Sequence, residues 1–176
     1  MSHIFVVEDY FPQETYKLVC ENILKVNFTP PPLERREVQE EASGSNGGAY
    51  WFQERISSRS DVAKICFEQI KPKFFHDPKK IQTILYTIVS PQKQFAPHVD
   101  KQNKGDYQVL IYLIGDEKVN NGTGFYKPDK EGNLNLNTHI GFRENRAILF
   151  TKDNYHNNLL WAGDSSMRYS IGFDFE

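Results

Sequence analysis

From Ile81 to Phe175 the sequence is a succession of short β-rich stretches cut by turn-formers, and this pattern leaves few folds open. The stretches are Ile81–Val89, Tyr107–Ile114, Gly124–Tyr126, Leu134–Ile140, Arg146–Phe150 and Met167–Phe175. Between them stand Ser90-Pro91, Gly115-Asp116, Asn120-Asn121-Gly122, Glu131-Gly132 and Ala162-Gly163-Asp164, which suit turns. Many short strands with regular turns close into a sandwich or a barrel. The last stretch is the most regular. Met167, Tyr169, Ile171, Phe173 and Phe175 alternate with Arg168, Ser170, Gly172 and Asp174, so the second set shares one face of a strand. An Arg, a Ser and a Gly on one face beside an apolar core suggest a lined cavity rather than a solvent face.

Ahead of this half the texture is different. Ile4–Val7 reads as a strand, and Pro12 opens a helix that Leu18, Val19, Ile23 and Val26 carry to Asn27. Tyr50-Trp51-Phe52 reads as a strand. A second helix is expected from Ser60 or Asp61 to about Lys71, with Val62, Ile65, Cys66 and Ile70 as its buried stripe. The stretch from about 34 to 48 is acidic, then rich in Ser and Gly. Such composition holds no fixed backbone cheaply, so a flexible loop is expected there, either plain or a lid. The chain of 176 residues fits one domain. Its expected class is mostly β with N-terminal helices: residues 1–80 form supporting strands and helices, and 81–176 form the core.

Charge and cysteine content narrow the function. There are 21 basic against 23 acidic residues, a formal net charge of -2. Phosphate-backbone binding rests on dense positive charge, so a dedicated nucleic-acid partner is disfavoured. Cys20 and Cys66 are the only cysteines; two cannot build a four-thiolate zinc site, and their spacing is not a CxxC redox pair. The N-terminus has no basic, apolar signal segment. No stretch approaches the ~18 apolar residues of a membrane span. A reduced, soluble, cytoplasmic protein is expected.

Among the five histidines, His3, His76 and His139 have bland surroundings. His98-Val99-Asp100 is different, because an extended backbone points the imidazole and the carboxylate the same way. Two such ligands take adjacent positions on a metal and need a third from elsewhere. The arrangement of two histidines and one carboxylate does this and leaves a face of Fe(II) open. His156 is the candidate third ligand, in polar flanks, with His139 as its rival. Arg168 and Ser170 add a carboxylate clamp, since a guanidinium pairs with a carboxylate through two parallel bonds.

In order, Phe95-Ala96-Pro97-His98-Val99-Asp100, Gly122-Thr123-Gly124-Phe125, Arg146–Phe150 ahead of His156, and Arg168-Tyr169-Ser170 resemble the 2-oxoglutarate- and Fe(II)-dependent oxygenases, more narrowly the prolyl-hydroxylase-like ones. The resemblance covers about residues 81 to 175. It implies a double-stranded β-helix (jelly-roll) core, with Fe(II) held by His98, Asp100 and His156. It further implies 2-oxoglutarate and O2 as cosubstrates, with Arg168 and Ser170 on the far carboxylate of 2-oxoglutarate. Tyr86, on the strand before His98, matches a position where such enzymes often bond the cosubstrate. The implied reaction hydroxylates an unactivated C–H bond and releases succinate and CO2. The alternative is a non-catalytic jelly-roll binding or structural module, in which His98 and Asp100 are ordinary strand polars. An amino acid, a peptide or a protein side chain is the favoured substrate, and a small molecule stays open.

Overall fold

The computed structural model describes residues 3–28, 51–75, 77–79, 81–89, 96–100, 106–118, 121–159 and 168–176, with backbone alone for 51–53 and 81–89. The loop expected at about 34–48 lies outside them. Nine strands are described: β1 (Ile4–Val7), β2 (Trp51–Arg55), β3 (Ile81–Val89), β4 (Tyr107–Ile114), β5 (Gly122–Pro128), β6 (Leu134–Gly141), β7 (Ala147–Thr151), β8 (Tyr155–Leu159) and β9 (Arg168–Phe175). They form a six-stranded sheet in the order β1-β7-β4-β9-β3-β2 and a three-stranded sheet in the order β6-β5-β8. Every pairing is antiparallel. β1 is an edge strand, with Phe5 and Val6 exposed.

The helices follow local rules. α1 (Gln13–Leu24) starts directly after Pro12. It stops three residues short of the expected Asn27, because the Lys25 and Val26 amides donate to the carbonyls of Asn22 and Ile23, tightening the last turn. α2 (Asp61–Glu68) is capped by the Ser60 hydroxyl, which accepts from the Ala63 amide. The chain then turns at Gln69 into α3 (Ile70–Phe74). One continuous helix would set Pro72 against the carbonyl of Glu68, with no N–H to offer it, so the helix divides there.

β4 and β9 are two-faced, and the two faces have different neighbours. Val109, Ile111, Ile171, Phe173 and Phe175 pack with Val19 and Ile23 of α1 and with Ala63, Cys66 and Ile70 of the other helices. This is the larger core. Tyr112, Ile148 and Phe150 of the large sheet join Phe125 and Ile140 of the small one in a second cluster between the sheets. Arg168, Ser170 and Asp174 belong to the row that faces the small sheet, and each is at most 3% exposed. The alternating strand thus buries both faces, one in helices and one in the space between the sheets.

Within the small sheet, β5 and β6 approach closely at Gly122. A Cβ there would stand 2.1 Å from the Ile140 carbonyl oxygen and 2.9 Å from Gly141 Cα. At Gly172 a Cβ would meet nothing within 4 Å. Gly122→Ala should therefore destabilise the protein by about 1–3 kcal/mol, lowering Tm by roughly 2–12 °C for a chain of this size. Gly172→Ala should not lower Tm. Thermal unfolding of the two variants beside wild type checks both outcomes.

Candidate metal and anion site

His98 and His156 face each other across an antiparallel bridge. The His98 amide donates to the His156 carbonyl at 3.0 Å, and the His156 amide donates back at 2.8 Å. Two strand segments far apart in sequence are locked in register, with the rings 4.8 Å apart. Asp100 completes the group: its carboxylate oxygens lie 3.8 Å from His98 Nε2 and 3.7 Å from His156 Nε2. One donor atom from each of the three residues lies within 4.8 Å of the others. His139 is exposed, opposite Gly124 on β5, and is outside this group.

Each ring is oriented from behind. His98 Nδ1 donates to the Ala96 carbonyl at 3.0 Å, and His156 Nδ1 donates to the Asn154 carbonyl at 3.1 Å. A carbonyl only accepts, so both rings carry their proton on Nδ1 and turn Nε2 towards Asp100. This is the tautomer that a metal-binding imidazole requires. Burial holds His156 below the ordinary imidazole range, against the opposing pull of the Asp100 carboxylate. The ring is therefore neutral at neutral pH.

The second half of the site lies along β9. Arg168 is fully enclosed; its Nη1 donates to Asn121 Oδ1 at 2.8 Å and to the Gly122 carbonyl at 2.7 Å. Its Nε is buried with no partner among the described residues. The guanidinium carbon stands 5.7 Å from the ring centre of Tyr112, whose hydroxyl shares a 2.6 Å hydrogen bond with Thr123 Oγ1. No described carboxylate neutralises Arg168. A buried cation without a counter-ion is costly, and burial accordingly pulls the Arg168 pKa down. An anion supplied from outside fits this place.

Register joins the two halves. From Arg168 the row passes Ser170, then the open space over Gly172, then Asp174. Asp174 lies opposite Gln108 on β4, and Gln108 Nε2 donates to Asp100 Oδ2 at 2.9 Å. One face of β9 therefore runs from the guanidinium to Asp174, and Gln108 across from it links that end to the His-Asp-His group. Tyr86 is off this row. It pairs with Ile171, whereas Thr87 pairs with Ser170 and Leu85 with Gly172. The tyrosine on the row of Ser170 is Tyr112. Sequence reasoning missed Tyr112, Asn121, Thr123 and Gln108. Gln108 and Tyr112 share parity in an otherwise apolar strand, and that was the available signal.

No protein-family model matches the sequence, and no curated protein matches it. Solved structures match in shape. A prolyl-4-hydroxylase from Pseudomonas putida superposes with a TM-score of 0.60 at 12% identity, covering 98% of this chain and 91% of that one. A prolyl hydroxylase from Trichoplax adhaerens, in complex with a hypoxia inducible factor oxygen degradation domain peptide fragment, gives 0.66 at 14% identity, covering 98% and 82%. HygX from Streptomyces hygroscopicus, with nickel and 2-oxoglutarate bound, gives 0.60 at 11% identity, covering 97% and 81%. The chain has the jelly-roll fold of the 2-oxoglutarate-dependent oxygenases. Prolyl hydroxylases are among the structures that share this shape.

The depressed His156 pKa sets a pH dependence for the metal-free protein. Below about pH 6.5, the ordinary imidazole value, the unfolded chain takes up a proton that folded His156 refuses. Stability from this source is complete above that pH and is lost as pH falls towards the folded value. Urea unfolding between about pH 8 and 5 should show the decline, and His156→Gln should flatten it.

Proposed function

We propose that this protein is an Fe(II)- and 2-oxoglutarate-dependent oxygenase that hydroxylates a C–H bond of an amino acid, a peptide or a protein side chain. The observation that carries the reading is the buried Arg168 guanidinium, without a carboxylate partner among the described residues, on a row of β9 that ends at Asp174 opposite Gln108, the residue bonded to Asp100 of the His98–Asp100–His156 group. The donor set suits iron: two imidazoles and one carboxylate on one side, with the remaining positions left to ligands. When bound, the iron would supply the oxidising chemistry with O2 as the oxidant and 2-oxoglutarate as the co-reductant, one oxygen atom going to the C–H bond and the other to succinate, which leaves with CO2 as co-products.

The protein's share is binding and geometry. His98 and His156 present Nε2 because backbone carbonyls hold their Nδ1 protons. Arg168 takes the far carboxylate of 2-oxoglutarate through its unpaired Nε side, beside Ser170 and Tyr112. The packed rings of Phe125 and Phe150 stand against His156 and keep water from that side of the site. Support for a peptide or protein substrate comes from the Trichoplax adhaerens neighbour and its peptide fragment.

The test is an anaerobic titration of the metal-free protein with Fe(II) and then 2-oxoglutarate. A weak visible charge-transfer band is expected, and its absence would leave a non-catalytic jelly-roll module. His98→Ala and His156→Ala should lose iron while His139→Ala keeps it. Truncating one partner of a buried charge pair costs about 2–5 kcal/mol. Arg168→Ala should therefore weaken 2-oxoglutarate binding by roughly thirtyfold to several thousandfold. Arg168→Lys, which keeps the charge and loses the fork, should fall between. Arg168→Ala binding within about twofold of wild type would place the clamp elsewhere.

A further inference from the structure

Each residue of the His-Asp-His group has one contact that orients it. For the two histidines it is a backbone carbonyl. For Asp100 it is a side chain, Gln108, whose Nε2 donates to Oδ2 at 2.9 Å. The orientation of this amide is fixed by chemistry: an ionised carboxylate only accepts, so the nitrogen must face it. Gln108 itself is held on both sides, opposite Phe150 on β7 and Asp174 on β9. Its other polar atom, Oε1, is buried with no partner among the described residues. An unsatisfied buried acceptor does not stabilise a fold. An apolar side chain of the same size would fill this place in β4 without that penalty, so packing does not explain a glutamine here.

We propose that Gln108 is a positioning residue for the metal, resting on the metal reading above: it engages Asp100 Oδ2 and so leaves Asp100 a single oxygen, Oδ1, to offer the ion. The consequence is a matter of counting positions. Two imidazoles and a one-oxygen carboxylate occupy three of the six positions of an octahedral ion, and three remain. A carboxylate free to bind through both oxygens would take a fourth. That would leave too few for a chelating ligand and one more.

The experiment uses the full chain and Co(II) alone as probe, without 2-oxoglutarate, in wild type, Gln108→Leu and Gln108→Met. Co(II) affinity and the visible absorption of the bound ion are read together with the Tm of the metal-free protein. Loss of a side chain that orients a metal ligand typically costs about 10–100-fold in metal affinity, and that weakening is expected in both variants. The Co(II) spectrum should also change as the carboxylate turns to bind through both oxygens, while the metal-free Tm is unchanged or higher. Affinity within about twofold of wild type with the same spectrum overturns the proposal. So does a fall in Tm with unchanged metal binding, or failure of both variants to fold, since either makes Gln108 structural. A wild-type protein that binds no Co(II) fails the metal reading itself, before the variants are compared.

Discussion

Two backbone hydrogen bonds between His98 and His156 determine whether this molecule has a site at all. The His98 segment belongs to no described strand, and its backbone pairs with β8 at this isolated bridge. Short contacts between residues far apart in sequence cost chain entropy to close. Here that cost is met by the small sheet, which holds β8 against β5 through five register pairs. The ring orientations and the approach of Asp100 all follow from that docking. The His-Asp-His group is thus a tertiary feature, built where a short segment lies on the edge strand β8 of the small sheet.

The interior between the sheets holds several polar side chains. Arg168, Ser170, Asp174, Asn157, Asn158 and Thr123 are all buried there or along its walls. Some of this polarity is settled within the protein: Lys152 Nζ stands 3.3 Å from Asp174 Oδ1, and Tyr112 and Thr123 share a hydrogen bond. Among the described residues no carboxylate balances the charge of Arg168. Buried charges persist when geometry compensates them, and a ligand that binds only the folded state returns that energy as stability. Such a molecule gains rigidity as its site fills.

Much of the fold was legible because the strands obey simple parity. β3 and β4 have the bounds read from the sequence, and β9 begins one residue later than Met167. β8 was not legible. Tyr-His-Asn-Asn-Leu lacks the β-branched residues that mark strands, and only its tertiary setting, with the asparagines buried, makes it one. Helix splitting at Gln69 was written in Pro72, three residues on, but the apolar stripe through Ile70 masked it. For the site, His98, Asp100, His156 and Arg168 stood out because they are chemically distinctive. Tyr86 was named by resemblance, as a tyrosine on the strand before His98; the register pairs its backbone with Ile171. Gln108 and Tyr112 lay within a run that reads as plain core, and their roles depend on partners that no local pattern reveals.

The edge position of β1 has a consequence for handling the protein. β7 is Ala-Ile-Leu-Phe-Thr, with its first four residues buried, and it lies between β1 and β4. β1 is only four residues long, and Glu8 and Asp9 follow it directly. Short edges next to charge discourage strand-to-strand association between molecules. Trimming the first seven residues would strip that cover and turn β7 into the edge: an apolar, uncharged strand with free backbone groups, the sequence type that seeds stacked β-assemblies. The N-terminal strand thus covers the apolar β7 as well as extending the sheet.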